Sequence, residues 1–316
     1  MWAARRHTVT PTSLHHTGVV VRSIDEALVF FRDALGLTVL KEDVVEDQGV
    51  RAALLDLGNS FLELLEPTVP DTGIARYLER RGEGLHHVCL EVPDIAVALA
   101  DLKADGVPLV DEAPRSGLTG TVAFLHPSAL HGVLVELLHG PTAFRQPVPG
   151  PWPLAYDPAE APGPWPLAHD PGGAARGAAI IRRLDHLILA VQRLPDAADD
   201  WARVLGLRAG GPHHPEGSHM QLARLELSDD AQGGAYLELA QPTTEQHRLA
   251  RFIAGRGEGM FSISVEADGL DAAVAELRAR GLPVSDPEPG TWPGTRLARI
   301  PRAHAHGVAI QLLERG

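Results

Sequence analysis

Four residues of this 316-residue chain have the types and spacing to hold a metal ion. His16 opens the run His16-Thr-Gly-Val-Val-Val21, and His87 opens His87-Val-Cys-Leu-Glu-Val92. Glu63 and Glu136 each interrupt an apolar run, as Leu62-Glu63-Leu64 and Val135-Glu136-Leu137. Alternate residues of a strand share a face, so a carboxylate at the centre of such a run falls where burial is expected. A buried carboxylate has to be protonated, paired or coordinated. Two imidazoles and two such carboxylates suit one divalent ion, with Zn, Co, Mn, Ni and Fe(II) all compatible and coordination positions left open. A lone strand histidine is more often an ordinary core or surface residue, and a lone strand glutamate is commonly a salt-bridge partner. Repetition is what singles these four out.

The same pattern recurs twice more. His186-Leu-Ile-Leu-Ala-Val191 leads to Leu237-Glu238-Leu239, and Ser262-Ile-Ser-Val-Glu-Ala267 leads to Ile310-Gln311-Leu312. In all four segments the central polar residue follows the leading one at a nearly constant distance (16 to 63, 87 to 136, 186 to 238, 262 to 311), which marks a duplicated structural unit. The first two units supply His, Glu, His, Glu; the last two supply His, Glu, Ser, Gln. Serine is a poor ligand for these ions and Gln311 is neutral, so the second pair is expected to hold no catalytic metal. Either it is a structural partner or it has become a metal-free pocket.

The elements that would position these residues can be read from periodicity. Ile24, Ala27, Leu28, Phe31 and Leu35 mark one helical face over Ser23–Leu35, with Ser23 and Glu26 as a capping box and Gly36 as the stop. Asp94 caps a second helix to Ala104, followed by Gly106, and helices near Asp196–Leu205 and Leu270–Arg280 stop at Gly206 and Gly281. Strand-like runs follow, such as Arg51–Leu57, Phe61–Leu65, Thr121–Leu125 and Gly132–Leu138. Each unit is therefore βαβββ, and the expected fold is α+β, with four units making two tandem domains. The Pro/Gly-rich stretch 141–178, with its internal copy Pro151–Pro158 and Pro164–Pro171, reads as a linker whose tryptophans dock on the surface. The expected division is a flexible 1–12, a domain 13–140, that linker, and a second domain 179–316.

Composition narrows the field. A 44% hydrophobic and 22% charged chain is that of a globular protein, and the net charge of −13 argues against a nucleic-acid surface. One cysteine, Cys89, fits a reducing compartment, no apolar run is long enough for a membrane span, and no apolar segment follows the N-terminal arginines as in a secretory signal. Cytoplasmic location is the expectation. His213, His214, His219, His304 and His306 are read as surface residues, and Lys41, Arg51 and Arg115 are given no role.

Residues 14–139 resemble the methylmalonyl-CoA epimerases of the vicinal oxygen chelate superfamily, which also holds glyoxalase I and extradiol dioxygenases. The resemblance rests on Leu14-His-His-Thr-Gly-Val-Val-Val21, Gln48-Gly-Val-Arg51, Leu57-Gly-Asn, Glu63-Leu-Leu-Glu-Pro67, Gly84-Leu-His-His-Val-Cys-Leu-Glu-Val92, Phe124-Leu-His-Pro127 and Gly132-Val-Leu-Val-Glu-Leu137. Residues 182–314 resemble the superfamily in outline only. The resemblance implies curved mixed sheets with flanking helices and metal ligands at His16, Glu63, His87 and Glu136. His15 and His86, as strand neighbours, are expected to face away. It also implies epimerisation of an acyl-CoA thioester through a metal-chelated enediolate, with Glu136 as both ligand and base. Ala52 stands where some epimerases carry a second glutamate, which leaves the second proton carrier unassigned. The duplicated halves are expected to form an intrachain pseudo-dimer, with a homodimer of whole chains as a further option. The alternatives are another glyoxalase-type isomerase, a dioxygenase using His16, His87 and Glu136, or a non-enzymatic antibiotic-sequestering protein.

Overall fold

The computed structural model describes residues 9–140, 180–227 and 234–316. The anticipated linker and its tryptophans lie outside the described residues. Within them, the first half is one eight-stranded sheet in the order β2-β3-β4-β1-β5-β8-β7-β6, and the second a seven-stranded sheet in the order β10-β11-β9-β12-β15-β14-β13. The first comprises β1 (Ser13–Val20), β2 (Val39–Val45), β3 (Val50–Asp56), β4 (Phe61–Pro67), β5 (Gly84–Glu91), β6 (Arg115–Ser116), β7 (Thr121–Leu125) and β8 (Leu134–His139). The second comprises β9 (Ile181–Ala190), β10 (Met220–Leu225), β11 (Tyr236–Pro242), β12 (Gly259–Ala267), β13 (Glu288–Pro289), β14 (Thr295–Ile300) and β15 (Ala309–Arg315). Each sheet is mixed: β1 runs parallel to β4 and β5 parallel to β8, while β1 and β5 join the two units antiparallel. The second half repeats this with β9, β11, β12 and β15. In the third unit the first post-helix strand is reduced to isolated bridges at Ala209 and His213, so only two of its three strands are regular.

The helices start where capping chemistry allows. α1 (Ile24–Leu28) begins at Ser23, whose hydroxyl accepts from the Glu26 amide, and then widens into π-helical turns over Val29–Ala34 before Gly36 at φ +82. The anticipated apolar face, Ile24 through Leu35, is the buried one. Asp94 caps α3 (Ile95–Ala104) by accepting from Ala96 and Val97. α4 spans Leu194–Leu205, two residues longer at its start than the spacing suggests, and α6 spans Leu270–Ala279. Two helices absent from the spacing argument, α2 (Gly73–Arg81) and α5 (Arg248–Arg256), connect successive units and lay Ile74, Tyr77 and Leu78, or Leu249, Phe252 and Ile253, on the inner face of each sheet. Of the anticipated flexible stretch 1–12, residues 1–8 lie outside the described residues; Val9 is buried, and the Thr12 amide donates to the Glu91 carbonyl. Among the described residues no helix is long and apolar enough to cross a membrane.

The halves meet through contacts that come in exchanged pairs. His131 of the first half places Nδ1 3.1 Å from Glu258, and His306 of the second places Nδ1 3.2 Å from Glu83. Each glutamate also accepts a backbone amide from its own half, Glu83 from Arg22 and Glu258 from Gln192. Arg81 and Arg256 donate to each other's carbonyls. Gly132 and Gly307, at φ +77 and +74, pass so close to Glu258 and Glu83 that any Cβ would overlap the glutamate carbonyl. The two half-buried histidines are thus interface residues, which corrects the surface reading of His306. His213 is corrected too, since it bonds to the Thr291 carbonyl and stacks on Trp292. The main apolar core runs without a break from Val9 to Leu312.

Burial opposes the charge on Glu83, but the bonds from His306 and the Arg22 amide outweigh it and hold the carboxyl below its ordinary value of 4.5. A depressed carboxyl contributes stability that is fully present above its ordinary, unfolded value and is lost as the pH falls from there through the lower folded value. Glu83→Gln is expected to cost about 1 kcal/mol at neutral pH and to flatten the acid limb of the stability curve below pH 4.5. Chemical denaturation across pH 3–7 measures both; an unchanged acid limb would remove Glu83 from the account.

Candidate metal centre

The register of the first sheet brings the four anticipated residues together. Gly18 pairs with Glu63 on β4 and with His87 on β5, while His16 pairs with Cys89, which in turn pairs with Glu136 on β8. Four adjacent strands thus each lend one polar side chain to a single buried cluster, with His16, Glu63, His87 and Glu136 exposed by 1, 6, 2 and 6%. His16 Nε2 lies 2.9 Å from Glu136 Oε2, 3.4 Å from Glu63 Oε2 and 3.1 Å from His87 Nε2. His87 Nε2 lies 3.5 and 3.4 Å from the same two carboxylate oxygens.

Those separations suit one ion. Ligand atoms about 2.1 Å from a common centre, at angles between about 90 and 110°, stand about 3.0–3.4 Å apart. Two imidazole nitrogens at 3.1 Å can share at most one proton, and both crowd the buried Glu136 Oε2 at 2.9 and 3.4 Å. A shared cation would satisfy both groups. The carboxylates are in the right state for it. Burial alone would push Glu63 upward, but His16 and His87 bring it down to about 2, and the same imidazoles hold Glu136 well below the usual carboxylate range. The Cys89 thiol, beside His16, is pushed up by burial and by Glu136, so it stays protonated and is a poor competing ligand.

His15 and His86 do not face away. The β1–β5 pairing slips once on each strand, between Leu14 and His16 and between His87 and Leu85, so His15 and His86 are the extra residues of two bulges. At a bulge the strict alternation of faces fails. His15 Nδ1 therefore lies 2.8 Å from His16 Nδ1, and His86 Nδ1 lies 3.1 Å from His87 Nδ1. Burial and the neighbouring His87 bring His86 down to about 3, which keeps it neutral. Each outer imidazole thus stands within hydrogen-bond reach of the inner one's Nδ1, the support that orients a metal-binding histidine. Burial is outweighed by nearby acidic groups that raise His16 and His87 above the ordinary value, so an ion binds in competition with their Nε2 protons. The adjacent His-His pairs are the only signal in the sequence for this support.

Gly18 is a second residue the spacing argument passed over. A Cβ there would stand 2.2 Å from His87 Cε1, 2.4 Å from Nδ1 and 2.8 Å from Nε2, so only glycine leaves room for that imidazole. The second half makes the opposite choice at the same register. Ser262 pairs with Ile188 where His87 pairs with Gly18. His186 persists, with Nδ1 held by Asp185, which is itself clamped by Arg315. Its Nε2 is 3.8 Å from Glu238, and Gln311 turns to Ser262 instead. Of the basic residues given no role, Arg51 is tied to Asp25, Glu42 and Glu66, Lys41 to the Leu118 carbonyl, and Arg115 to Asp111.

Gly18→Ala is expected to displace His87 and weaken cobalt binding by at least about tenfold while the chain stays folded. Titration followed by the cobalt absorption bands measures it, and wild-type affinity in the variant would show that His87 does not bind from this position.

Residues 15–124 match the family model described as Glyoxalase/Bleomycin resistance protein/Dioxygenase superfamily, and residues 184–306 match that of the Glyoxalase-like domain. The mitochondrial methylmalonyl-CoA epimerase of Bos taurus is 40% identical over 126 residues, covering 39% of this chain and 72% of that protein. The ethylmalonyl-CoA/methylmalonyl-CoA epimerase of Cereibacter sphaeroides is 36% identical over 127 residues, covering 39% of this chain and 95% of that protein. A mutant 4-hydroxymandelate synthase from Streptomyces coelicolor superposes over 97% of this chain and 93% of its own, with a TM-score of 0.68 at 18% identity, a likeness of fold. Two tandem glyoxalase-type domains, the first of them similar to epimerases, place the chain in the glyoxalase/bleomycin resistance protein/dioxygenase superfamily.

Proposed function

We propose that the first half is a metal-dependent epimerase, an isomerase acting on a 2-substituted acyl-CoA thioester such as methylmalonyl-CoA, in the cytoplasm. The observation that carries this reading is the cluster of two imidazole nitrogens around the buried Oε2 of Glu136, in the half that is similar to epimerases. His16, Glu63, His87 and Glu136 would hold the ion. When bound, a divalent ion supplies positive charge next to the thioester and carboxylate oxygens, on which negative charge builds as the proton between them leaves.

The rest is the work of side chains. Glu136 is kept ionised by His16 and His87, so it is available to take the α-proton. His15 and His86 contact Nδ1 of the two ligand imidazoles and so orient both rings, and an ion would displace the protons that the carboxylates otherwise hold on Nε2. Inversion needs a second carrier on the opposite face. Ala52 is not that carrier: it is a buried methyl packed with Val20, Leu54 and Leu65 on the inner face. The second half serves as the structural complement of the first through the exchanged histidine–glutamate contacts, within a pseudo-dimer made by one chain.

The test is α-proton exchange of methylmalonyl-CoA in deuterated water, followed by NMR with cobalt-loaded protein. Exchange is expected to require the metal, to disappear with a chelator, and to fall by about 10²–10⁴-fold in Glu136→Gln. Tight cobalt binding without any exchange would sink this substrate class and turn the search to other carbonyl substrates and to oxygen chemistry.

A further inference from the structure

The two connecting helices are basic in a chain whose net charge is −13. α2 carries Arg76, Arg80 and Arg81 and α5 carries Arg248, Arg251 and Arg256, against one acid, Glu79. None of these arginines makes an ion pair among the described residues, whereas Arg51, Arg278, Arg296 and Arg315 are each paired with an aspartate. The two helices end against each other. Arg81 Nη1 donates to the Arg256 carbonyl at 2.7 Å and Arg256 Nη2 to the Arg81 carbonyl at 3.3 Å, so two exposed guanidinium groups meet at the seam between the halves. A third joins them. Arg302 is half-buried and lays its guanidinium over the Phe252 ring, 5.5 Å from the centroid, one helical turn before Arg256.

Helix dipoles account for part of this gathering, since the carbonyls at a helix C-terminus attract cations. They do not account for Arg302, which lies outside both helices. It precedes the interface residue His306 as Pro127 precedes His131, so the turn itself requires no cation there. Most of the donors are still free to bind a ligand. A guanidinium carries five N–H groups, and the carbonyls of Arg256, Arg81 and Phe261 each engage one nitrogen of Arg81, Arg256 and Arg302 in turn. Burial and the nearby Arg256 charge hold the Arg302 guanidinium below its ordinary value, as expected where like charges gather without a carboxylate. The seam also adjoins the support of the metal centre: Tyr77, one turn before Arg81, sets its ring 4.8 Å from that of His86. A planar guanidinium fork takes two phosphate oxygens at once, so three forks outrun a single phosphate and suit a diphosphate. We propose that this seam is a diphosphate-binding site built by both halves, with Arg81, Arg256 and Arg302 holding the two phosphoryl groups of a nucleotide-type ligand. On the epimerase reading above, on which this naming of the ligand rests, the diphosphate is that of the acyl-CoA. The second half then supplies two of the three cations that hold the first half's substrate.

The test uses the full chain, stripped of metal so that the probe cannot chelate it, with inorganic pyrophosphate followed by calorimetry. Saturable binding is expected, weakened by about tenfold or more in Arg302→Gln and in Arg256→Gln. Arg296→Gln, which removes the same charge from a paired arginine elsewhere, should leave it unchanged. ADP should bind at least as tightly as pyrophosphate. No saturable binding, wild-type affinity in both seam variants, or an equal loss in Arg296→Gln would overturn the site, and ADP binding far weaker than pyrophosphate would overturn the nucleotide-type ligand. The epimerase reading is judged separately by the exchange assay. Pyrophosphate binding at the seam without exchange of methylmalonyl-CoA would keep the site and remove that substrate. Exchange whose KM is unchanged in Arg302→Gln would overturn the assignment of the diphosphate to CoA.

Discussion

Two carboxylates and two imidazoles crowded into a buried volume cannot be stable as four independent groups. In the first half, His16 and His87 approach nitrogen to nitrogen at 3.1 Å, and both face Glu63 and Glu136 at 3.5 Å or less. Any arrangement of their protons leaves a repulsive pair or an unpartnered oxygen. The architecture tolerates this because four neighbouring strands aim one side chain each at the same point, so the cluster is enforced by the sheet rather than by attraction among its members. That is the preorganisation a multivalent cation needs: the cost of bringing the donors together is met on folding. The flanking bulges, the supporting His15 and His86, and the room that Gly18 leaves for the His87 ring all serve that single convergence.

The second half shows the same scaffold released from the constraint. Its sheet order, parallel pairings and the two equivalent bulges persist, yet the residues at those bulges are now Asp185 and Phe261, a third slip is added at Arg182, and the interior is stabilised by ordinary means. Asp185 is held by both His186 and Arg315, Trp292 caps Glu238, and Ile188 fills space. Fold and site are therefore separable in this protein. Strand pairing and a continuous apolar core specify the sheets, while the donors are a local decoration that one half carries and the other has replaced.

The sequence made the site's members legible because they recur at a fixed period on strands, where one polar residue in an apolar run is conspicuous. It made the helix stops legible because glycine was needed at a positive φ after α1, α3 and α4. Other features were hidden for physical reasons. A bulge has no signature in composition, so strict alternation misplaced His15 and His86. α2 and α5 bury only a narrow apolar face and otherwise read as charged loops. His306 and His213 looked like surface residues because their partners, Glu83 and Trp292, are far away in sequence. The room that Gly18 leaves is taken by a ring on a neighbouring strand, so the need for it is visible only once register is known.

The exchange of Gly18–His87 for Ile188–Ser262 has a consequence for the changes open to such a chain. A histidine placed at position 262 would meet the Ile188 side chain, and a glycine placed at 188 would open a hole beneath a serine. Neither change helps alone, and each is harmful while the other is missing. The two positions are therefore locked together: a centre like that of the first half would take two simultaneous steps here, which leaves the second half free to drift in other directions but not in this one.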